Sequence, residues 1–409
     1  MSLNNTPSSE RIHIGFFGRT NAGKSSLINV MTGQKISLVS EVRGTTTDPV
    51  KKAMELLPLG PVVLIDTPGL DDNSQLGELR EKRTREVLKQ IHMAVIVVDI
   101  LEGITEVETK LEQELKLAQI PYLWAYNKSD LIDTVHVKEN VDKKVIDCVK
   151  EDGGGKDEIY ISTVTGQNIE LLKERISSMK VKNEEKKIVA DLLEKGDHVI
   201  LVIPIDKAAP KGRLILPQQQ TIRDILDAGC TLSVCQTENL KETLELLRKP
   251  PKLVITDSQV FSAVKEIVHK EIFLTSFSIL FARYKGNLER TIKGAYKLDE
   301  LRDGDKILIS EGCTHHKQCG DIGTEKLPKW ILKYTGKKLQ FVFTSGGDFP
   351  EDVKEYKLII HCGACMLNEK QMQARTEQAK VSGIPMTNYG IVIAYLNGIL
   401  NRSVEPFDL

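Results

Sequence analysis

Short apolar runs recur along this chain, separated by stretches in which apolar and polar residues follow helical spacing. In the N-terminal part, five such runs are typical of buried strands: 11–17, 62–65, 94–98, 122–126 and 159–161. Apolar residues at a spacing of about 3.6 predict amphipathic helices at 106–116 and 135–150. Strands that alternate with helices are typical of α/β domains, in which crossover helices connect parallel strands.

The alternation resumes after a short charged connector at 182–187. It predicts strands at 198–205, 231–235, 253–256, 306–310, 339–344 and 358–360, and helices at 217–226, 238–247, 326–334 and 368–381. We therefore predict an α/β protein with mainly parallel sheets and three domains, at residues 1–180, 181–270 and 271–409. The middle domain is small for independent stability, so pairing with a second copy would help to bury its sheet. We expect a homodimer.

Composition places the chain among globular proteins. It has 409 residues, of which 41% are hydrophobic and 28% charged, and its net charge of −1 gives no basic field for nucleic acid or an anionic membrane. The first residues lack the basic and apolar segments of a signal peptide, and apolar runs such as 391–396 are too short to span a bilayer. We expect a cytoplasmic protein with no membrane or nucleic-acid partner.

The first predicted strand runs into a glycine-rich loop that matches G-x-x-x-x-G-K-[ST] at every fixed position. Between a strand and a helix, this P-loop motif binds nucleotide phosphates through its backbone amides. Lys24 is expected to reach the β- and γ-phosphates, and the Ser25 hydroxyl to bind Mg²⁺. The residues predicted to contact the phosphates are Gly18, Asn21, Ala22, Gly23, Lys24, Ser25 and Ser26.

Three further segments follow in the order expected of a guanine-nucleotide site. Asp66 ends a strand, where a carboxylate can hold Mg²⁺ through its bound water, and Gly69 can donate an amide to the γ-phosphate. The Asp130 carboxylate can accept both N1–H and N2–H of guanine, which adenine does not offer. The residues predicted around the base are Asn127, Lys128, Asp130, Ser162 and Thr163.

This ordered set of motifs resembles the guanine-nucleotide-binding domain of small GTPases, and the segment Gly-Thr-Thr-Thr-Asp at 44–48 resembles switch I of the TrmE–Era group. The resemblance implies that GTP and GDP are the ligands and that Thr46 binds Mg²⁺ in the GTP state. It also implies a set of catalytic residues, which are Lys24, Thr46, Asp66 and Gly69.

Two positions concern the rate of hydrolysis. Leu70 stands where Ras-like enzymes carry a water-positioning glutamine, so slow intrinsic hydrolysis is expected. Asn21 stands where K⁺-stimulated members of the group carry an asparagine that helps to ligate potassium. Asparagine also fits a tight turn, and both interpretations stay open at this point.

Four of the seven cysteines lie between residues 313 and 365, which suggests a metal site, whereas the odd number argues against a disulfide framework. Cys313-x-His315 and His361-Cys362-x-x-Cys365 each follow a predicted strand, and the carboxyl ends of parallel strands meet at one edge. The three cysteines suit a [4Fe–4S] cluster with one open iron, or a Cys₃His zinc site. The fourth ligand could be His315, His361, another group or exchangeable solvent, and the residues leave these alternatives open. Because neighbours on a strand point to opposite faces, ligation by both His361 and Cys362 is doubtful.

The whole chain resembles the HydF family, the GTPase scaffolds of [FeFe]-hydrogenase maturation, because a TrmE–Era-like domain is joined to a small α/β domain and to these cysteine motifs. The resemblance implies a [4Fe–4S] cluster on Cys313, Cys362 and Cys365. It also implies a cargo, the diiron precursor with CO, CN⁻ and dithiolate ligands, which is delivered to apo-[FeFe]-hydrogenase. The implied partners are the radical-SAM maturases HydE and HydG and the hydrogenase.

Four cations near the cysteine motifs could favour an anionic complex, although solvated surface charge is the ordinary role of such residues: Lys317, Lys326, Lys329 and Arg375.

Two other functions compete with this interpretation. A tRNA- or ribosome-associated GTPase with a structural zinc domain would carry the same nucleotide motifs, but the last third of the sequence has no basic run with interleaved aromatic residues. A redox enzyme that used the cluster for electron transfer would be expected to show a second cluster motif or a flavin fingerprint, and the sequence shows neither.

Overall fold

The computed structural model describes residues 8–33, 50–70, 83–132, 157–179, 186–205, 214–286, 288–312, 321–364 and 366–407. The chain divides into two compact units, Met1–Asn183 and Glu184–Leu409. The helix predicted at 135–150 lies outside the described residues.

The first unit is built on a six-stranded sheet with the strand order β2-β3-β1-β4-β5-β6. The strands are β1 (Ile12–Phe17), β2 (Val50–Leu56), β3 (Gly60–Asp66), β4 (Met93–Asp99), β5 (Tyr122–Asn127) and β6 (Glu158–Tyr160). β2 runs antiparallel to β3, whereas the other pairs are parallel. All residues of β4 are buried, as expected for an apolar strand that is covered on both faces.

Helices cover both faces of this sheet. Those with described bounds are α1 (Lys24–Thr32), α2 (Glu106–Leu117) and α3 (Ile169–Ser178), and residues 83–88 are also helical. Leu27 of α1 and Leu172 of α3 share one apolar cluster, and Leu111 and Leu115 of α2 belong to the cluster on the other face. The loops after the parallel strands therefore lie together at the carboxyl edge of the sheet.

The second unit contains two parallel four-stranded sheets. The middle sheet has the order β10-β9-β7-β8 and consists of β7 (His198–Val202), β8 (Thr231–Cys235), β9 (Leu253–Thr256) and β10 (Phe273–Ser276). The last sheet has the order β12-β11-β13-β14 and consists of β11 (Lys306–Ser310), β12 (Gln340–Thr344), β13 (Leu358–His361) and β14 (Met386–Asn388).

Helices of the second unit connect and cover these strands. They are α4 (Leu216–Asp227), α5 (Leu240–Leu246), α6 (Phe261–Ile267), α7 (Phe277–Tyr284), α8 (Leu288–Tyr296), α9 (Leu327–Thr335), α10 (Glu369–Val381), α11 (Tyr389–Leu396) and α12 (Leu400–Val404).

Helix α11 packs between the two sheets of this unit. Ile391 and Ala394 belong to the apolar cluster of the middle sheet, together with Ile200 of β7. Val392 and Ile393 belong to the cluster of the last sheet. Because one helix contributes to both cores, the two sheets form one compact unit.

The predicted α/β class with parallel sheets is confirmed, and the strands at 231–235, 253–256 and 306–310 are confirmed residue for residue. β10 lies beyond residue 270 and pairs with β9, so the middle sheet continues past the predicted end of the middle domain. Across the described residues, no helix is both long and apolar enough to cross a membrane.

Candidate functional site

The glycine-rich loop lies between the end of β1 and the start of α1. The buried Lys24 ammonium donates hydrogen bonds to the carbonyl oxygens of Gly18 and Arg19, at 2.9 and 2.8 Å. A phosphate in this loop would offer the ammonium charged acceptors in place of the two carbonyls. Gly23 has a φ of 96°, and a Cβ there would lie 2.2 Å from Nδ2 of Asn127, so the loop requires glycine at this position.

A hydroxyl and a carboxylate meet at the end of this loop. Ser25 Oγ donates to Asp66 Oδ2 at 2.5 Å, and Asp66 Oδ1 is buried with no hydrogen-bond partner among the described residues. Burial raises the pKa of Asp66, opposed by the Ser25 hydrogen bond and by the charges of Lys24 and Lys52. Mg²⁺ prefers oxygen ligands and keeps several waters, so this pair of side chains fits the ion.

The loop after β3 lies directly against the glycine-rich loop. A Cβ on Gly69 would lie 2.1 Å from Thr20 Oγ1 and 2.8 Å from the Thr20 nitrogen, so a side chain does not fit there. The amide of Leu70 donates to the Gly18 carbonyl at 3.4 Å, and its side chain packs against the apolar cluster of the sheet. Leu70 therefore offers no polar group that could orient water.

The predicted base-binding residues lie together at the ends of β5 and β6. Buried Asn127 donates from Nδ2 to the Ala22 carbonyl at 3.0 Å and accepts at Oδ1 from the Thr163 amide at 3.2 Å. The Ser162 hydroxyl donates to Asp130 Oδ1 at 2.5 Å. The structure thus brings the glycine-rich loop together with both loops that were predicted to bind the base.

Two charged contacts at this edge are not evident from the sequence. Lys128, whose φ of 69° is left-handed, pairs with Asp99 at the end of β4, with 2.5 Å between Nζ and Oδ2. Arg19 donates to the buried Glu108 carboxylate at 3.0 Å and to the Gly103 carbonyl at 2.9 Å, which ties the glycine-rich loop to α2. The position of Asp99 at a strand end is the signal that could have indicated its role.

Two further residues were predicted for this site, Asn21 and Thr46. Asn21 is exposed with a left-handed φ of 64°, which fits the tight-turn interpretation, and its role as a potassium ligand stays a prediction. Thr46 lies outside the described residues.

In the second unit, the last residues of four parallel strands align in one row across the sheet. The row consists of Thr344, Ser310, His361 and Asn388. Cys362 follows directly, and its sulfur accepts the backbone amides of Gly312 at 3.0 Å and Ala364 at 3.3 Å. Amide donors favour the thiolate, which is the form that binds metal.

His361 is fully buried, and both of its ring nitrogens are hydrogen-bonded. Arg375 donates to Nε2 at 2.8 Å, so the ring proton sits on Nδ1, which donates to the Cys362 carbonyl at 3.0 Å. In this arrangement His361 supports the backbone of Cys362. Ligation of a metal by His361 stays a prediction and would require one of these bonds to break.

A second cation holds the segment after Cys362. Lys285, next to the C-terminal end of α7, donates from Nζ to the carbonyl oxygens of Gly363 at 3.1 Å and Ala364 at 2.5 Å. Cys313, His315 and Cys365 lie outside the described residues. Within the part of the chain that the structure describes, no group of three or more His, Cys, Asp or Glu side chains forms a metal site.

Family models match the chain in three consecutive segments. Residues 13–128 match the 50S ribosome-binding GTPase family. Residues 188–286 match the hydrogen maturase F dimerization domain, and residues 289–406 match the hydrogen maturase F tetramerization domain.

Curated relatives match between about two fifths and about two thirds of the chain. The tRNA modification GTPase MnmE of Nitrosomonas europaea is 31% identical over 166 residues, which is 40% of this chain and 34% of that protein. GTPase Era of Thermoanaerobacter pseudethanolicus is 24% identical over 309 residues, which is 70% of this chain and 96% of that protein. The chain spans about a third of the length of the MnmE proteins it matches.

Solved structures match a similar share of this chain. A probable GTP-binding protein, engB, is 29% identical with a TM-score of 0.29, covering 40% of this chain and 96% of that one. Aquifex aeolicus Era bound to GDP and aluminium fluoride is 19% identical with a TM-score of 0.33, covering 58% of this chain and 98% of that one. TM-scores this low do not support a shared function.

The two hydrogen maturase F segments follow one another through the second unit and together account for more than half of the chain. They follow a GTPase-family segment, in the order that the sequence motifs predict. The chain therefore belongs to the hydrogen maturase F family.

Proposed function

We propose that this chain is a GTP-hydrolysing [4Fe–4S] scaffold that assembles or delivers a diiron precursor to apo-[FeFe]-hydrogenase. The observation that carries the proposal is Cys362 at the carboxyl edge of the last sheet, in a chain of the hydrogen maturase F family. Its sulfur receives two amide hydrogen bonds, and the buried Arg375 lies behind the neighbouring His361. These features suit an anionic metal–thiolate centre.

In the first unit we assign GTP and Mg²⁺ to the loops around Lys24. Ser25 and Thr46 would ligate Mg²⁺, and Asp66 would hold one of its waters, which would satisfy the otherwise unpaired Asp66 Oδ1. Lys24 and the Gly69 amide would bind the γ-phosphate and stabilise the charge that develops during hydrolysis.

Hydrolysis by the isolated chain is proposed to be slow, because Leu70 packs on the core and cannot orient water by hydrogen bonding. We propose potassium, ligated by Asn21, as the activating ion. The exposed position of Asn21 in the glycine-rich loop leaves its side chain accessible to a cation beside the phosphates.

Guanine specificity rests on Asp130 in this proposal. The variant Asp130→Asn should bind GDP about 100-fold more weakly, because the two charge-assisted bonds to guanine together contribute about 3 kcal/mol. Titration with a fluorescent GDP analogue measures the loss. The matched control, Asp157→Asn, changes an exposed aspartate beside β6 and should leave the affinity unchanged. Equal affinities of the two variants for GDP would show that Asp130 does not bind the base.

Asp66 should be a source of instability in the chain without nucleotide. Because burial raises its pKa, the folded state disfavours the charged form, and its contribution to stability falls as the pH rises through that raised value. Asp66→Asn should therefore raise the thermal unfolding midpoint at pH 7 without ligands, yet weaken Mg²⁺-dependent GDP binding by at least about tenfold. Thermal unfolding with and without Mg²⁺ and GDP tests both parts. A variant that Mg²⁺ and GDP stabilise as much as the wild type would contradict the assignment.

In the second unit we assign the cluster to Cys313, Cys362 and Cys365, with His315 as one candidate for the fourth position. When bound, the cluster would supply an iron site to which a ligand of an anionic precursor can attach. The chain itself positions the thiolates. The amides of Gly312 and Ala364 orient the Cys362 sulfur from two sides.

Delivery is tested by transfer to the hydrogenase. The chain, coexpressed with HydE and HydG as the proposed partners and purified without oxygen, should activate apo-[FeFe]-hydrogenase. The same chain expressed without these maturases should not, because it would lack the precursor. If the coexpressed chain failed to activate the hydrogenase, the delivery role would be wrong, whatever its cluster content.

We propose that the middle domain comprises residues 181–270 and the cluster domain residues 271–409. A homodimer is proposed to form through the middle domain. Matched segments of the second unit are described as dimerization and tetramerization domains. β8 ends the middle sheet, and Val234 on it is 49% exposed, so this strand offers an edge to a second copy.

We propose a cytoplasmic location.

A further inference from the structure

A buried arginine joins the carboxyl ends of the strands that deliver Cys362. Arg375 lies on α10 and is 7% exposed, whereas Lys329 is exposed and Lys326 is partly exposed. One guanidinium nitrogen donates to the Gly346 carbonyl at 2.7 Å, after β12. The other donates to Ser310 Oγ at 3.3 Å on β11 and to His361 Nε2 at 2.8 Å on β13. Arg375 is therefore part of the sheet edge and not a solvated surface charge.

The arginine acts on Cys362 through the histidine between them. Because Arg375 donates to Nε2, the His361 proton is fixed on Nδ1, and Nδ1–H donates to the Cys362 carbonyl at 3.0 Å. His361 is fully buried, and its bond to the guanidinium is shielded from water. The orientation of the Cys362 peptide thus depends on the guanidinium.

No carboxylate of the described residues forms a hydrogen bond with Arg375, and Asp348 acts on it only through its charge. Its ring contact is Phe349, with 5.0 Å between the guanidinium carbon and the ring centroid. Burial lowers the pKa of Arg375, and the negative charges of Cys362 and Asp348 act against this. Burying a cation is energetically unfavourable unless an anion lies nearby. A thiolate-bound cluster carries net negative charge and would supply such an anion.

We propose that Arg375 is a positioning residue for the cluster, which orients Cys362 through His361 and supplies a fixed positive charge that favours the reduced cluster. This inference rests on the proposed cluster at Cys362. A reduced cluster carries one more negative charge than an oxidised one, so a nearby fixed cation stabilises it more. Removing the cation should therefore make the cluster harder to reduce.

The test is an EPR-monitored redox titration of the full-length chain, reconstituted with iron and sulfide without oxygen. In Arg375→Gln, the ratio of reduced to oxidised cluster at a fixed potential should fall about tenfold, which is a midpoint about 59 mV more negative. Arg375→Lys keeps the charge but lacks the fork that bonds three partners, so its midpoint should stay near the wild type while its EPR g values change.

The matched control is Arg402→Gln. Arg402 also donates to backbone carbonyls, those of Lys265, Val268 and His269, but at the end of α6. Its removal should destabilise the fold without changing the potential. Loss of charge at Lys285, which is less buried, should shift the potential less than loss at Arg375, because solvent screens it more.

The results distinguish a failure of the proposed function from a failure of the role of Arg375. A wild-type chain that assembles no cluster refutes the proposed function. A loaded Arg375→Gln chain with the wild-type midpoint refutes the role of Arg375 and leaves the cluster assignment intact. If Arg375→Gln does not fold, the Arg375→Lys variant tests the inference instead. Wild-type EPR g values in that variant, or a midpoint at least about 59 mV more negative than that of the wild type, would overturn the inference.

Discussion

Replacing Lys24 with alanine should weaken GTP binding by about 100-fold and slow hydrolysis by about 100- to 1,000-fold. Lys24 is the buried cation of the glycine-rich loop, and its two carbonyl contacts hold the ammonium where phosphate oxygens would replace them. Without it, the β- and γ-phosphates lose their fixed positive charge in both the bound and the transition state.

The measurement is phosphate release at saturating GTP, together with titration of a fluorescent GTP analogue. The matched control is Lys116→Ala, since Lys116 is exposed on α2 and pairs with Glu112 one turn away. Exposed pairs of this kind contribute about 0.3–0.5 kcal/mol, so the control should hydrolyse GTP normally. A Lys24→Ala chain that hydrolyses GTP at the control rate would show that this loop is not the GTP site.

Replacing Cys362 with serine should lower the iron content of the anaerobically reconstituted chain from about four atoms per chain to fewer than about one. A serine hydroxyl is a hard oxygen ligand and is a poor substitute for a soft thiolate. The site has three cysteines in this proposal, so removing one leaves two thiolates for four irons.

Cys235→Ser is the control for this loss. Cys235 ends β8, and burial raises the pKa of its thiol. The raised pKa disfavours the thiolate, which is the form that binds metal. It should keep the full iron content, and both variants should hydrolyse GTP at the wild-type rate. Full iron in the Cys362→Ser chain would show that the cluster is held elsewhere.

The sequence largely predicted where the candidate nucleotide-binding residues lie, because their motifs are local. Each segment follows a short apolar strand, and the parallel order of the strands brings their ends to one edge. Asn127 illustrates the limit of this reasoning. Its place among the predicted base-binding residues follows from the motif, but its bond to the Ala22 carbonyl depends on how the two loops pack.

The surroundings of Cys362 were less predictable, because they depend on tertiary contacts. The sequence places Arg375 in a polar helix, and its burial appears only when α10 docks against the ends of β11 and β13. The same is true of Asp99, whose pairing with Lys128 links two strand ends. Short strands such as β14 carry too few residues for a clear periodic pattern.

We propose above that one chain joins a GTPase to an iron–sulfur scaffold. The most direct test of this proposal is the iron, sulfide and zinc content of the wild-type chain purified without oxygen, with EPR after reduction. We expect about four irons and four sulfides per chain and the EPR signal of a reduced [4Fe–4S] cluster. About one zinc per chain after reconstitution, with no cluster signal, would contradict the proposal and favour a tRNA- or ribosome-associated GTPase with a structural zinc domain.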